Sequence, residues 1–309
     1  MTIFAMVFPG QGSQTVGMLA ELSSEYTIVK ATFSEASAVL GYDLWQRVQE
    51  GPAEELNKTW QTQPALLASS VAIWRVWQQR GGRTPAFLAG HSLGEYSALV
   101  CASSLVFTDA IELVALRGTL MQEAAPEGRG AMTAIIGLDH AAITTACQQA
   151  AQGQVVSLLD FNAPGQVVIS GHKEAVERAG LFCKETGAKR VLPLPISVPA
   201  HCILMRPAAE KLAQALSQVT FITPRIPVIN NVDARVEQDP SAIRQALVRQ
   251  LYSPVRWTQT VEYLATQGVE TLLEIGPGKV LTGLTKRILA TMSGIAVNDL
   301  TSLAATIKY

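Results

Sequence analysis

An apolar run that ends in Gly90-His91-Ser92-Leu93-Gly94 and passes at once into a helical pattern leaves few folds open to this chain. Residues 85–89 read as a strand and residues 95–101 as the helix that follows it. The turn between them is so tight that side chains at its glycine positions would collide with neighbouring elements, while a serine hydroxyl at the tip stays exposed. That is a nucleophile elbow of the kind an α/β-hydrolase-like sheet of parallel strands presents. Two more apolar runs end at glycine in the same way. Residues 2–8 precede Gly10-Gln11-Gly12-Ser13-Gln14, and residues 271–275 precede Gly276-Pro277-Gly278.

Between Gly130 and Pro195 the pattern changes. Strand 131–136, helix 141–151, strands 155–161 and 167–170, helix 173–186 and strand 190–194 give the order βαββαβ of a ferredoxin-like unit. Pro126-Glu127-Gly128 and the proline-rich residues 193–199 bound it. The expected architecture is a discontinuous large α/β domain over 1–127 and 198–309, with a parallel-sheet core, and a ferredoxin-like subdomain over 128–197. Past Pro224 the chain alternates strands and helices that return to the large sheet.

Composition narrows the function classes. A chain of 309 residues with 48% hydrophobic and 16% charged residues has a globular balance, and its formal net charge of -1 lacks the basic field that holds proteins on nucleic acid. The apolar start has no basic n-region and runs into a glycine-rich loop, so it reads as a buried strand rather than a signal peptide. No apolar run reaches the roughly 18 residues of a membrane span, and a cytoplasmic protein is expected. Cys101, Cys147, Cys183 and Cys202 show neither C-x-x-C nor zinc-finger spacing and read as reduced thiols, with no metal site.

A serine nucleophile needs a base, and the chain holds four histidines. His91 adjoins Ser92 on the elbow and is expected to point elsewhere. His140 and His172 begin helices of the inserted unit, where capping or solvent roles are expected. His201 remains, at the end of Ser197-Val198-Pro199-Ala200-His201 where the chain leaves the insertion; the competing reading is a satisfied buried histidine. For an oxyanion, the elbow supplies the Leu93 N–H and the loop after the first strand offers that of Gln11. A phosphate loop there fails on spacing: Thr15 stands where a dinucleotide fingerprint needs glycine, and Met18-Leu19 stands where Lys-Ser/Thr would follow.

Arg117 lies on a helix read over 109–122, with Leu113, Val114, Leu120 and Met121 three and four residues away. A guanidinium in such a setting needs an anion, and its planar fork suits a carboxylate. That anion is either a substrate carboxylate or an internal partner, for which Asp109, Glu112 and Glu123 are in sequence reach.

Taken in order, Phe8-Pro9-Gly10-Gln11-Gly12-Ser13-Gln14, Gly90-His91-Ser92-Leu93-Gly94-Glu95, Arg117 and Gly276-Pro277-Gly278 closely resemble the malonyl-CoA:acyl carrier protein transacylases, over nearly the whole chain. The resemblance implies Ser92 as nucleophile, His201 as base, Arg117 as the clamp on the malonyl carboxylate, and the N–H groups of Gln11 and Leu93 as oxyanion hole. It also implies that the Gln250 main-chain carbonyl orients His201. Malonyl-CoA and acyl carrier protein are the implied partners, with no cofactor and a monomeric enzyme, and the basic pairs Lys189-Arg190 and Lys286-Arg287 are expected either to meet the carrier or to be plain solvated surface. One departure stands out: Asp160-Phe161-Asn162-Ala163-Pro164 replaces the Asn-x-Asn pattern common in relatives, so the resemblance carries no site role over to Asp160. The rival readings are a serine thioesterase or hydrolase, a polyketide-type acyltransferase and a non-catalytic carrier-binding protein.

Overall fold

Strand β1 (Phe4–Phe8) is buried along its length and divides its side chains between two cores, as the two-residue strand period requires: Phe4, Met6 and Phe8 enter one, Ala5 and Val7 the other. A strand covered on both faces belongs at the centre of a parallel sheet. The computed structural model describes residues 2–126, 128–163, 165–194 and 198–309, and only the backbone of Asp160, Phe161 and Asn162. These residues form a mixed α/β fold with a parallel sheet and a separate antiparallel sheet.

After β1 the strands are β2 (Phe87–Gly90), β3 (Gly130–Ile136), β4 (Val156–Ala163), β5 (Gln166–His172), β6 (Arg190–Pro193), β7 (Val228–Ile229), β8 (Thr271–Ile275) and β9 (Ser293–Val297). The parallel sheet has the order β7-β2-β1-β8-β9. Its edges, β7 and β9, were not singled out in the sequence because one is two residues long and the other is only half-buried. The antiparallel sheet has the order β4-β5-β3-β6. Asp160 pairs with Val168 in β4, but its side chain, like Pro164 and the boundary residues Glu127, Pro195, Ile196 and Ser197, lies outside the described residues.

Helices α1 (Ala20–Glu25), α2 (Thr27–Leu40), α3 (Leu44–Glu50), α4 (Ala53–Leu56) and α5 (Thr59–Gln79) separate β1 from β2. The elbow then opens α6 (Gly94–Cys101), followed by α7 (Phe107–Ala124). Helices α8 (His140–Ala151) and α9 (Lys173–Glu185) cover the antiparallel sheet. The chain returns through α10 (Arg206–Gln218), α11 (Pro240–Gln250), α12 (Trp257–Thr266), α13 (Val280–Ile288) and α14 (Leu300–Thr306). Long α5 is buried almost all round and serves as a core helix.

The antiparallel sheet also has two faces. Ile135, Val167 and Ile169 pack on α8 and α9, whereas Met132, Ala134, Leu159 and Val168 join the core of the larger body. The strand alternation thus turns one face of this sheet toward the elbow. His140 is exposed at the start of α8, the solvent alternative of its expected roles, while the Asp139 side chain caps that helix by accepting from Ala142 N at 2.7 Å. The expectation for His172 needs correction. His172 sits at the N-cap of α9, yet its Nδ1 accepts from Val155 N at 2.9 Å and ties the start of β4 to the end of β5. The four cysteines are free and buried. No described helix is long and apolar enough to cross a membrane.

Candidate active site

The elbow explains its own sequence. A Cβ on Gly90 would lie 1.9 Å from the Gly94 carbonyl carbon, and one on Gly94 would lie 2.1 Å from the Phe8 carbonyl oxygen, so neither position admits a side chain. Ser92, between them, holds φ at +53°, a region a serine enters only when its surroundings enforce it. The enforcing contacts come from distant chain. Ser92 N donates to Asn231 Oδ1 at 2.7 Å, Asn231 Nδ2 donates to the Gly90 carbonyl at 2.6 Å, and Gln250 Nε2 donates to the Ser92 carbonyl at 3.0 Å.

His201 reaches Ser92 from the segment that follows the antiparallel sheet. Its Nε2 is 2.7 Å from Ser92 Oγ, and its Nδ1 is 2.6 Å from the main-chain carbonyl of Gln250 at the end of α11. A carbonyl oxygen only accepts, so Nδ1 carries the proton and Nε2 presents its lone pair to the serine. His201 is 4% exposed. Burial first, then the Arg117 charge, push its pKa down to about 3 against the upward pull of the Gln250 carbonyl, and the imidazole is neutral at neutral pH.

Arg117, 1% exposed on α7, completes the centre. Its Nη2 donates to Ser92 Oγ at 3.1 Å and to Gln250 Oε1 at 3.0 Å, its Nη1 donates to Gln63 Oε1 at 2.8 Å, and its Nε has no partner among the described residues. The internal acids in sequence reach do not pair with it: Glu123 meets Lys211 instead, and no ion pair among the described residues includes Arg117. Its guanidinium carbon stands 5.7 Å from the centre of the Tyr96 ring. Burial lowers its pKa, with Tyr96 and Glu95 opposing.

Ser92, Leu93, Arg117, His201 and Gln11 all line one cavity of about 510 Å³, roofed by Met132, Ala134 and Val168 of the antiparallel sheet and flanked by Val280 and Leu284 of α13. Leu93 sits at the N-cap of α6 and Gln11 in the turn after β1, and both residues line the same cavity. His91 also lines it, with its ring packed against that of the buried Trp257 at 5.6 Å between ring centres. Among the described residues no cluster of His, Cys, Asp or Glu offers a metal site.

The basic pairs lie near the rim. Arg287 donates to the Gln166 side chain, and Gln166 lines the cavity. Ile136 of β3 is the register partner of both Gln166 and Arg190, so these positions share one end of the antiparallel sheet. Lys189, Arg190, Lys286 and Arg287 are exposed.

Three residues of the site were not read from the sequence: Gln63, Glu95 and Asn231. Glu95 alone gave a signal, as the single charge in an apolar helix. It is 2% exposed, and its Oε2 accepts from Gln250 Nε2 at 2.7 Å and from Asn231 N at 3.0 Å. Burial pushes its pKa up to about 7 against these hydrogen bonds and the Arg117 charge.

Residues 5–304 match the acyl transferase domain family. A malonyl CoA-acyl carrier protein transacylase of Escherichia coli is 67% identical over 308 residues, covering 100% of both chains, and one of Salmonella typhimurium is 66% identical over 307 residues, covering 99% of both. Among solved structures, an acyl carrier protein S-malonyltransferase from Vibrio cholerae superimposes with a TM-score of 0.96 at 67% identity, over 98% of this chain and 99% of its own. A malonyl-transacylase in complex with a type II PKS acyl-carrier protein superimposes with a TM-score of 0.98 at 66% identity, over 99% of each chain. With such similarity along its whole length, and with a serine, a histidine and an arginine converging in one cavity, this chain belongs to the malonyl CoA-acyl carrier protein transacylases, a family of acyltransferases.

Proposed function

We propose that this chain moves the malonyl group of malonyl-CoA onto the phosphopantetheine thiol of an acyl carrier protein, through an ester on Ser92. The observation that carries the reading is the position of Ser92 Oγ, 2.7 Å from a neutral imidazole nitrogen and 3.1 Å from a guanidinium that has no carboxylate partner among the described residues. His201 takes the hydroxyl proton as Oγ attacks the thioester carbonyl, the C–S bond breaks, and the proton returns to the departing thiol of coenzyme A. In the second half the carrier's thiol gives its proton to His201 and attacks the ester, and Ser92 recovers the proton. The kinetics are ping-pong, and no cofactor is needed because both thiols are substrates.

The N–H groups of Gln11 and Leu93 hold the oxyanion in both halves. Arg117 receives the malonyl carboxylate. Its charge also lowers the basicity of His201, so a carboxylate that neutralises it makes the base stronger when malonyl is bound than when acetyl is. The exposed basic residues Lys189, Arg190, Lys286 and Arg287 meet the carrier protein at the rim. All of the proposed site residues come from one chain, in keeping with a monomer, and the enzyme works in the cytoplasm.

In architectural terms we read the larger body, 1–127 with 198–309, as an α/β-hydrolase-like domain, and 128–197 as a ferredoxin-like subdomain. The strand order β4-β5-β3-β6 with α8 and α9 on one face supports the second assignment.

Intact-mass measurement after mixing with malonyl-CoA, then a chase with phosphopantetheinylated carrier, tests the whole reading. The expected result is a single malonyl adduct on Ser92 that moves to the carrier. Loss of the adduct to water at the same rate without carrier would make the protein a thioesterase or hydrolase, and no adduct at all would make it a carrier-binding protein.

A further inference from the structure

Among the described residues, the Arg117 guanidinium donates to neutral oxygens, those of Gln63, Gln250 and Ser92. A carboxylate lies one side chain further on. Gln250 accepts from Arg117 on Oε1 and donates from Nε2 to Glu95 Oε2 at 2.7 Å, so its amide stands between cation and anion with its dipole aligned to both. Glu95 is as deeply buried as Arg117. Through Asn231 N, bonded to the same Oε2, it also steadies the residue that clamps the elbow.

We infer that Glu95 is the counter-charge of Arg117, delivered through the Gln250 amide, and that it tempers the hold of the guanidinium on a substrate carboxylate. The inference rests on the reading above, in which Arg117 receives that carboxylate. The physical logic lies between two unfavourable extremes. A carboxylate bonded directly to Arg117 would fill the fork that the substrate needs. With no anion nearby, a buried unpaired guanidinium would be costly in the free enzyme and would hold the malonyl carboxylate so firmly in the ground state that the acyl group would be slow to leave. An anion one amide away balances the free site and leaves the fork open. Glu95 touches no reacting atom, so it is a positioning residue.

Both donors converge on Oε2, so a glutamine carbonyl oxygen in that place keeps both hydrogen bonds. Glu95→Gln therefore removes the charge and little else. The ratio of kcat/KM for acylation by malonyl-CoA over acetyl-CoA is expected to rise about tenfold, through a lower KM for malonyl-CoA, once the like charge beyond the amide is gone. Any effect on the elbow itself falls on acetyl-CoA equally and cancels in the ratio. An unchanged or lower ratio, or an equal loss with both substrates, overturns the inference and leaves Glu95 a structural clamp.

Arg117→Ala separates this from the reading beneath it. If that variant keeps the malonyl preference, the carboxylate assignment of Arg117 itself fails. If it loses the preference, Glu95→Gln on the Arg117→Ala background should change nothing further, and a change there counts against the inference. Should Glu95→Gln not fold, the unmodified enzyme gives the answer in weak buffer near pH 7. The other charged or titratable groups facing Glu95 are Arg117, Tyr96 and the Asp233–Arg249 pair. Tyr96 is pushed up to about 12, Asp233 is lowered and Arg249 raised, and His201, beyond Gln250, is held down to about 3, so these four keep their charge states there. Malonylation is expected to take up a fraction of a proton as the second anion drives protonation of Glu95, and acetylation none. Equal uptake with both substrates, or none with malonyl-CoA, overturns the inference.

Discussion

Ser92 and His201 both hold positive φ, +53° and +57°, so the two side chains that meet at 2.7 Å each sit on strained backbone. Each such residue costs of order 1–3 kcal/mol, which the surrounding hydrogen bonds must offset. Because that strain belongs to the backbone, Ser92→Ala should leave the melting temperature nearly unchanged while abolishing the malonyl adduct; an adduct on Cys202 instead would contradict the assignment. For His201→Ala, single-turnover measurements should show losses of at least about 10²-fold in both acylation and transfer, since one imidazole serves both. A wild-type rate in either half would exclude the shared base. The buried titratable groups also predict how stability follows pH. His201 is depressed from 6.5 to about 3, so the unfolded chain binds more protons in that window, and its contribution is present above about pH 6.5 and fades as pH falls. Glu95 is raised from 4.5 to about 7, so its contribution is full below about pH 4.5 and is lost as pH rises through about 7. Denaturant melts from pH 4 to 8 should show Glu95→Gln removing the decline toward neutrality; a slope identical to wild type would show that Glu95 is not the group responsible.

At the scale of elements, α6 lies so close against β1 that Gly94 has the Phe8 carbonyl where a side chain would begin. Gly94→Ala is therefore expected to destabilise by about 1–3 kcal/mol, as overpacking does, and to displace Ser92 from His201. Gly12 has a φ of +103° but open space around it. Gly12→Ala should cost only conformational strain, about 1 kcal/mol, with acylation changed through the nearby Gln11 N–H if at all. Equal melting temperatures for the two variants would refute the distinction between a steric and a conformational glycine.

Over the whole molecule, the cavity exists because the antiparallel sheet turns Met132, Ala134 and Val168 toward an elbow carried by the parallel sheet. The basic residues gather at one end of this arrangement, where Arg287 reaches Gln166 across the two bodies. Reversing charge at Arg190 and Lys286 leaves that contact alone. The pair of substitutions is expected to raise the KM for carrier protein several-fold and to flatten its salt dependence, with acylation by malonyl-CoA near wild type. Equal damage to both half-reactions would point to coenzyme A binding or to misfolding.

What the chain alone determined follows from local physics. The elbow was legible because the strand-to-helix turn admits only glycine two positions to either side of the serine, and β1 because a strand buried on both faces is continuously apolar. The βαββαβ run was legible from its alternating periods, with boundaries off by one or two residues where helix ends and strand ends depend on caps and pairing. His201 emerged by elimination, and Arg117 because a charge on an apolar helix face needs an explanation. The tertiary structure decided the rest. No periodicity marks β7, which exists as a strand only because β2 lies beside it. Gln63, Asn231 and Gln250 are neutral residues with no local signature, and they converge on Ser92 and Arg117 from helices and loops up to 158 positions away. Glu95 shows the limit most clearly. Its charge was visible in the sequence, but whether a buried carboxylate is a nuisance or a counter-ion depends on what stands 2.7 Å from it, and only folding brings Gln250 there.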